Sequence, residues 1–353
     1  MIKDYMRKDL LDFKPYHAPL MAYDIKLDAN ENPYIHSPYV LERIKSWVDE
    51  KDNLTRYPDT DVHDLRKKLG AYHGVSENEI ICTVGSDQLI ELIIKVFVEP
   101  GDGVLVPNPS FSMYGLSTVL NHGKVITYEL NDAYDYDYDL ILKNYKDHKP
   151  KLIFICTPNN PTGNKASIEG MKMVLDYVDC PVIIDEAYEE FDGDSMVSYI
   201  HTYSNLIVLK TFSKAYGIAG LRIGYGIASK EMIEVVNIAK PPYNLSAFSQ
   251  AVASFILEDI DYYNALVDRI KKEKEKLYQF FLSMSCFERV YPSKANFILV
   301  KIKNMDLMTY LQGHRVLIRG FGDTGRLAYH MRVTIGTEDE NRRLMALIKT
   351  YEL

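Results

Sequence analysis

The stretch NLIVLKTFSKAYGIAGLRIGYG, Asn205–Gly226, changes character halfway along. It begins with the unbroken apolar run Leu206–Leu209, which reads as a buried strand. It then turns small and polar. Ser213 and Lys214 stand just past the strand end, and Arg222 follows among glycines. A short apolar run without alternation is covered on both faces, as in the parallel sheet of an α/β protein. Open sheets of that kind bind ligands at the carboxyl ends of their strands. A lysine and an arginine at such an end therefore ask for a ligand.

The same texture extends in both directions. Between residues 79 and 228, EIICTV, GVLVPNP, KVITYEL, KLIFICTP, PVIIDEAY, NLIVLKTF and RIGYGIA read as strands, and SDQLIELIIKVFV, GLSTVLNHG and EGMKMVLDYV as helices among them. This predicts an α/β fold with a mostly parallel seven-stranded sheet between helices. From about residue 247 the pattern becomes long charged helices followed by the strands NFILVKI, VLIRGF and YHMRVTIG, a smaller α+β unit. With 353 residues the chain exceeds what one core supports. A large domain over 30–246 is expected, with a small domain built from both termini, 1–29 and 247–353. The stretch DAYDYDYD, 132–139, reads as a solvated loop.

A net charge of −8 argues against a nucleic-acid partner, which calls for a basic face. The four cysteines lack metal or CxxC spacing, so no metal site is expected and the thiols read as reduced. MIKDYMRKDLLDF lacks the apolar centre of a signal peptide. No run approaches the roughly 20 apolar residues of a membrane span. A cytoplasmic chain with no membrane partner is expected.

Each residue at a strand end has an ordinary reading of its own. Ser86 and Asp87 after Gly85 could cap a helix or bind a phosphate there. NNPTG, holding Asn159, could be a plain turn. Lys214 could snorkel or act as a nucleophile, and Arg222 could clamp an anion or pair with an acid. Asp185 is harder to dismiss, because a carboxylate ending an apolar strand is costly without a cation. Together they ask for one ligand with a phosphate, a protonated ring nitrogen and a carbonyl. Pyridoxal 5′-phosphate has all three. Lys214 would form the Schiff base and Asp185 would hold the ring nitrogen protonated. Asn159 and Tyr188 would bond the phenolic oxygen. Ser86, Asp87, Ser213 and Arg222 would surround the phosphate.

TPNNPTG, IIDEAY, TFSKAYGIAGLRIGYG and RYPD resemble the motifs of fold-type I pyridoxal-phosphate aminotransferases, and more narrowly those of the histidinol-phosphate aminotransferase family. The resemblance runs from KPYHAPL and LDANENPY to MRVTIGTEDEN. It implies that Phe111 stacks on the cofactor ring, with Tyr114 nearby, and that the partner subunit's Tyr57 reaches the cofactor phosphate in a homodimer. It implies that Arg332 and Arg319 bind the substrate anion, with Tyr16 and Asn32 close by. The loop GFGDTGRLAYH departs from the family pattern, which expects Pro and Tyr there. The implied reaction passes an amino group between a small-molecule amino donor and a 2-oxo acid, namely histidinol phosphate and 2-oxoglutarate. Threonine-phosphate decarboxylation, or transamination of aspartate or aromatic amino acids, is the alternative.

Overall fold

A computed structural model describes residues 2–11 and 22–353. Its strands in chain order are β1 (Ile25–Leu27), β2 (Ile80–Val84), β3 (Gly103–Asn108), β4 (Lys124–Glu129), β5 (Leu152–Cys156), β6 (Val182–Asp185), β7 (Leu206–Thr211), β8 (Ile223–Ala228), β9 (Phe287–Val290), β10 (Phe297–Ile302), β11 (Val316–Gly320) and β12 (His330–Thr334).

The seven strands read from the alternating pattern form one sheet, in the order β2-β8-β7-β6-β5-β3-β4. From β7 to β4 the pairing is parallel throughout. β8 runs antiparallel to both its neighbours. The reason is length: the connection 212–222 is too short for the covered crossover that a parallel partner needs, so the chain turns back beside β7. Lys214 lies in this turn.

The apolar runs of β5, β6 and β7 are buried at every position. Their side chains alternate between two cores. Ile153, Ile155, Ile184 and Val208 join one, and Leu152, Phe154, Ile183 and Ile207 join the other. That split is what period-2 strands do when helices cover both faces. The helix Gly85–Phe97 supplies Leu89, Ile90 and Ile93 to the second core. β4, at the edge, is largely exposed and begins and ends on Lys124 and Glu129, charges that discourage further strand pairing.

A second sheet has the order β1-β11-β12-β10-β9. β1 joins it in parallel with β11, so the residues before position 30 do meet those after 247. The helix Ile260–Leu282 presents Tyr263, Leu266, Val267, Ile270, Leu277 and Phe281 as one buried stripe at helical spacing.

DAYDYDYD is not a solvated loop. Tyr134 is buried, the Tyr136 hydroxyl donates to the Cys156 carbonyl, and Tyr138 starts a helix ending at His148. Alternating aspartates hid tyrosines that pack inward. Among the described residues no helix is long and apolar enough to cross a membrane.

Candidate active site

β3 and β5 are adjacent, but β4 lies outside β3 while β6 and β7 lie beyond β5. The order thus reverses between β3 and β5, and the crevice beyond their carboxyl ends is where open α/β sheets take ligands. The loops leaving β3, β5 and β7 hold Phe111, Asn159 and Lys214, and Asp185 is the last residue of β6.

Asp185 ends β6 with 3% of its surface exposed. Its Oδ2 accepts from the Tyr114 hydroxyl at 2.6 Å, and its Oδ1 from the Ala187 N–H at 3.1 Å. Burial pushes its carboxyl up to about 6, with the two donors pulling the other way. It is ionised at neutral pH and, among the described residues, forms no ion pair, which suits a protonated ring nitrogen. The resemblance put Tyr114 only nearby; the structure makes it the hydroxyl donor to this carboxylate.

Lys214 donates from Nζ to the Ala29 carbonyl at 3.1 Å and lies 5.7 Å from the centre of the Tyr188 ring. Burial of the amine, aided by the Arg332 and Arg222 charges, lowers it to about 8. About a tenth of it is then unprotonated at pH 7, where an ordinary lysine is almost wholly charged. Such an amine is a nucleophile and a base.

Asp87, Ser213 and Arg222 come together, with Ser86 beside Asp87 in the first turn of the helix. The Arg222 guanidinium reaches Asp87 Oδ2 at 3.2 Å and Ser213 Oγ at 3.5 Å. The helix beginning at Gly85 points its free N–H groups to the same place. The backbone is built for close approach. Gly85 has φ +69°, and a Cβ there would sit 2.8 Å from the arginine's Nη2. A Cβ on Gly224 would lie 2.3 Å from the Ser86 nitrogen. Arg222 itself takes φ +54°, an uncommon conformation for a side-chain-bearing residue. Helix dipole, hydroxyls and guanidinium form a cradle of donors whose chemistry suits an anion such as a phosphate.

Asn159 departs from expectation. It is fully buried, and its amide donates to the Pro109 carbonyl at 2.9 Å and to Thr162 Oγ1 at 2.6 Å, while its oxygen accepts from Ser110. With both ends engaged it ties the β3 and β5 loops together. Its neighbour Asn160 is the partly open one, and its Oδ1 accepts from Arg332. The sequence offers two adjacent asparagines, and only burial separates them.

Tyr188 is buried, and its oxygen accepts from Asn30 Nδ2 at 2.9 Å, leaving the hydroxyl proton to donate. Asn30, which the sequence did not single out, also accepts from Thr334 and is buried at φ +55°. Asn32, expected near the substrate, spends its side chain on the chain itself. It donates to the Ala215 carbonyl at 2.7 Å and accepts from the Tyr34 N–H, so it holds the turn beside Lys214.

Arg319 and Arg332 face one another across β11 and β12. Arg332 donates to Asn160 and to the Asp28 carbonyl. Phe111 meets the Tyr114 ring edge-on at 5.7 Å. Tyr57 is 80% exposed and stacks on Tyr243 at 4.4 Å. Tyr16 lies outside the described residues.

A lysine, a buried aspartate and an anion cradle at the edge of one mostly parallel sheet define a class: enzymes that work through an aldehyde cofactor bearing a phosphate. The model of the family described as aminotransferase class I and II matches residues 23–348. A histidinol-phosphate aminotransferase of Ruminiclostridium cellulolyticum is 40% identical over 98% of this chain and 97% of its own. The crystal structure of the histidinol-phosphate aminotransferase from Clostridium acetobutylicum superposes with a TM-score of 0.86 at 27% identity, covering 93% of this chain and 99% of that one. That of Sinorhizobium meliloti, in complex with pyridoxal 5′-phosphate, gives 0.85 at 23% identity over 94% and 92%, a likeness of fold. The chain belongs to the class I and II aminotransferase family, and its relatives there include histidinol-phosphate aminotransferases.

Proposed function

We propose that this protein is a pyridoxal-phosphate aminotransferase that moves an amino group between histidinol phosphate and 2-oxoglutarate. The observation that supports it is two separate cationic clusters, the Ser86–Ser213–Arg222 cradle and the Arg319–Arg332 pair, with Arg222 and Arg332 both acting on the Lys214 amine. One suits the cofactor phosphate, and the other suits the anionic end of a substrate.

When bound, pyridoxal phosphate supplies an aldehyde that condenses with amines and a ring that accepts the electron pair released at the substrate α-carbon. Ser86, Ser213, Arg222 and the helix N-terminus would hold the phosphate. Asp185, fixed by Tyr114 and Ala187, would keep the ring nitrogen protonated. Phe111 would serve the ring face, and Tyr188 and Asn160 the phenolic oxygen. Lys214, lowered to about 8, takes the proton from the substrate α-carbon as general base. Arg332 meets the glutamate carboxylate or the substrate phosphate, and Arg319 adds a second charge.

We also infer a cytoplasmic homodimer in which the partner subunit's Tyr57 completes the phosphate site; the exposure of Tyr57 supports this. Separate domains over 30–246 and over 1–29 with 247–353 are supported by the membership of the two sheets.

The test is a donor screen with mass detection of the product, scored with and without 2-oxoglutarate. Histidinol phosphate should exceed histidinol by at least about tenfold in kcat/KM, because charge-assisted hydrogen bonds from arginines to a phosphate are lost with the neutral analogue. Equal turnover of the two refutes the substrate. Carbon dioxide released from threonine phosphate without any acceptor replaces transamination by decarboxylation.

A further inference from the structure

DAYDYDYD and GFGDTGRLAYH play no direct part in the chemistry above, yet they meet in space. Arg326 lies in the loop 321–329, which joins β11 to β12, the strands of Arg319 and Arg332. Its guanidinium leaves that loop. It donates to the carbonyls of Asn108 at 3.0 Å and Asn131 at 3.0 Å, to the Leu130 carbonyl and to the Glu129 carboxylate. Glu129 is held in turn by Asn108 Nδ2 at 2.8 and 3.0 Å. The guanidinium carbon lies 5.7 Å from the Tyr134 ring centre.

Beneath it, Tyr134 is buried against Tyr291 and His330, whose Nε2 lies 3.1 Å from the Tyr291 hydroxyl and 3.4 Å from that of Tyr134. His330 belongs to β12, two residues before Arg332. Two residues after Tyr134, Tyr136 donates to the Cys156 carbonyl at the root of the Asn160 loop. Asn108, which Arg326 holds, is the root of the Phe111 loop. One joint therefore connects the strands of the arginine pair to both loops that line the crevice.

Three carbonyls and a carboxylate converging on one group call for a planar fork of five donors, which lysine cannot supply. We propose that Arg326 is a positioning residue for the substrate anion: it clamps the β11–β12 loop to the carboxyl ends of β3 and β4, so that Arg319 and Arg332 are held at a fixed place relative to Phe111 and Asn160. The identity of the anion rests on the function proposed above; the clamp does not.

The experiment uses the holoenzyme with Arg326→Ala, Arg326→Lys and Glu129→Gln. For Arg326→Ala, KM for histidinol phosphate rises at least about tenfold while kcat stays within about threefold, the signature of lost binding rather than lost chemistry. Cofactor affinity, read by absorbance titration of the cofactor-free protein, stays unchanged. Arg326→Lys recovers part of the KM, and Glu129→Gln raises it about threefold, as expected for one charge-assisted bond among several. An unchanged KM overturns the proposal, as does a fall in kcat at constant KM or a parallel loss of cofactor. Should Arg326→Ala not fold, Glu129→Gln decides on the same criteria. Should the wild type accept no phosphorylated donor, the substrate is wrong, and the clamp is judged by KM for glutamate, whose carboxylate meets the same arginines.

Discussion

Replacing Tyr114 with phenylalanine removes one hydroxyl and leaves the ring, which stacks on Phe154 at 4.6 Å. The lost bond is the one to Asp185 Oδ2 at 2.6 Å. In the cofactor-free protein Asp185 keeps its proton to about 6, against an ordinary 3.8. The folded state therefore binds more protons than the unfolded chain between those values, and stability falls as pH rises through that window. The raised carboxyl costs about 3 kcal/mol by neutral pH, at about 1.4 kcal/mol per pH unit. A hydrogen bond to an ionised group contributes about 1.5–3 kcal/mol. Without it Asp185 moves up by roughly one to two units more, and the window extends to about pH 7–8. The assay is urea unfolding of cofactor-free wild type and variant at about pH 5 and about pH 8.5. Near pH 5 only a small offset of about 1 kcal/mol separates them, because Asp185 is largely neutral in both folded states. At the higher pH the gap widens by about 1.5–3 kcal/mol. A gap that does not change with pH refutes this account of Asp185.

Borohydride reduction of the protein with its cofactor should fix the label on Lys214, and a peptide map with the label on another lysine removes that assignment. Because Lys214 is lowered to about 8, acylation of the cofactor-free protein near that pH should modify it before the surface lysines. Asn159→Ala should lower unfolding stability by about 2–4 kcal/mol through three lost buried bonds, whereas Asn160→Ala should cost under about 1 kcal/mol yet raise KM; the reverse pattern would restore Asn159 to the cofactor. Gly224→Ala places a Cβ 2.3 Å from the Ser86 nitrogen. Displacing the helix start should weaken cofactor binding by about tenfold or more, and an unaltered titration would count against the cradle.

The sequence alone determined the sheet and most of the chemistry. Short apolar runs separated by helices bury both faces of a strand, and that pattern is local, so β2 to β8 were legible one by one. The site residues were legible because they stand where the apolar pattern stops: Asp185 ends β6, and Ser213 and Lys214 follow β7. Polarity at a strand end needs no tertiary information to be noticed. What tertiary structure decided were the choices between equals. Asn159 and Asn160 are chemically identical neighbours, and only the contacts of Pro109, Ser110 and Thr162 assign one to structure and leave the other facing Arg332. Asn32 looked like a substrate residue and holds a turn, while Asn30 was passed over and orients Tyr188. Tyr134 of DAYDYDYD was hidden among aspartates, because its burial comes from Tyr291, His330 and Arg326, all more than 150 positions further along the chain. Side-chain patterning reports the faces of regular elements; it cannot report which distant loop will close over an irregular one.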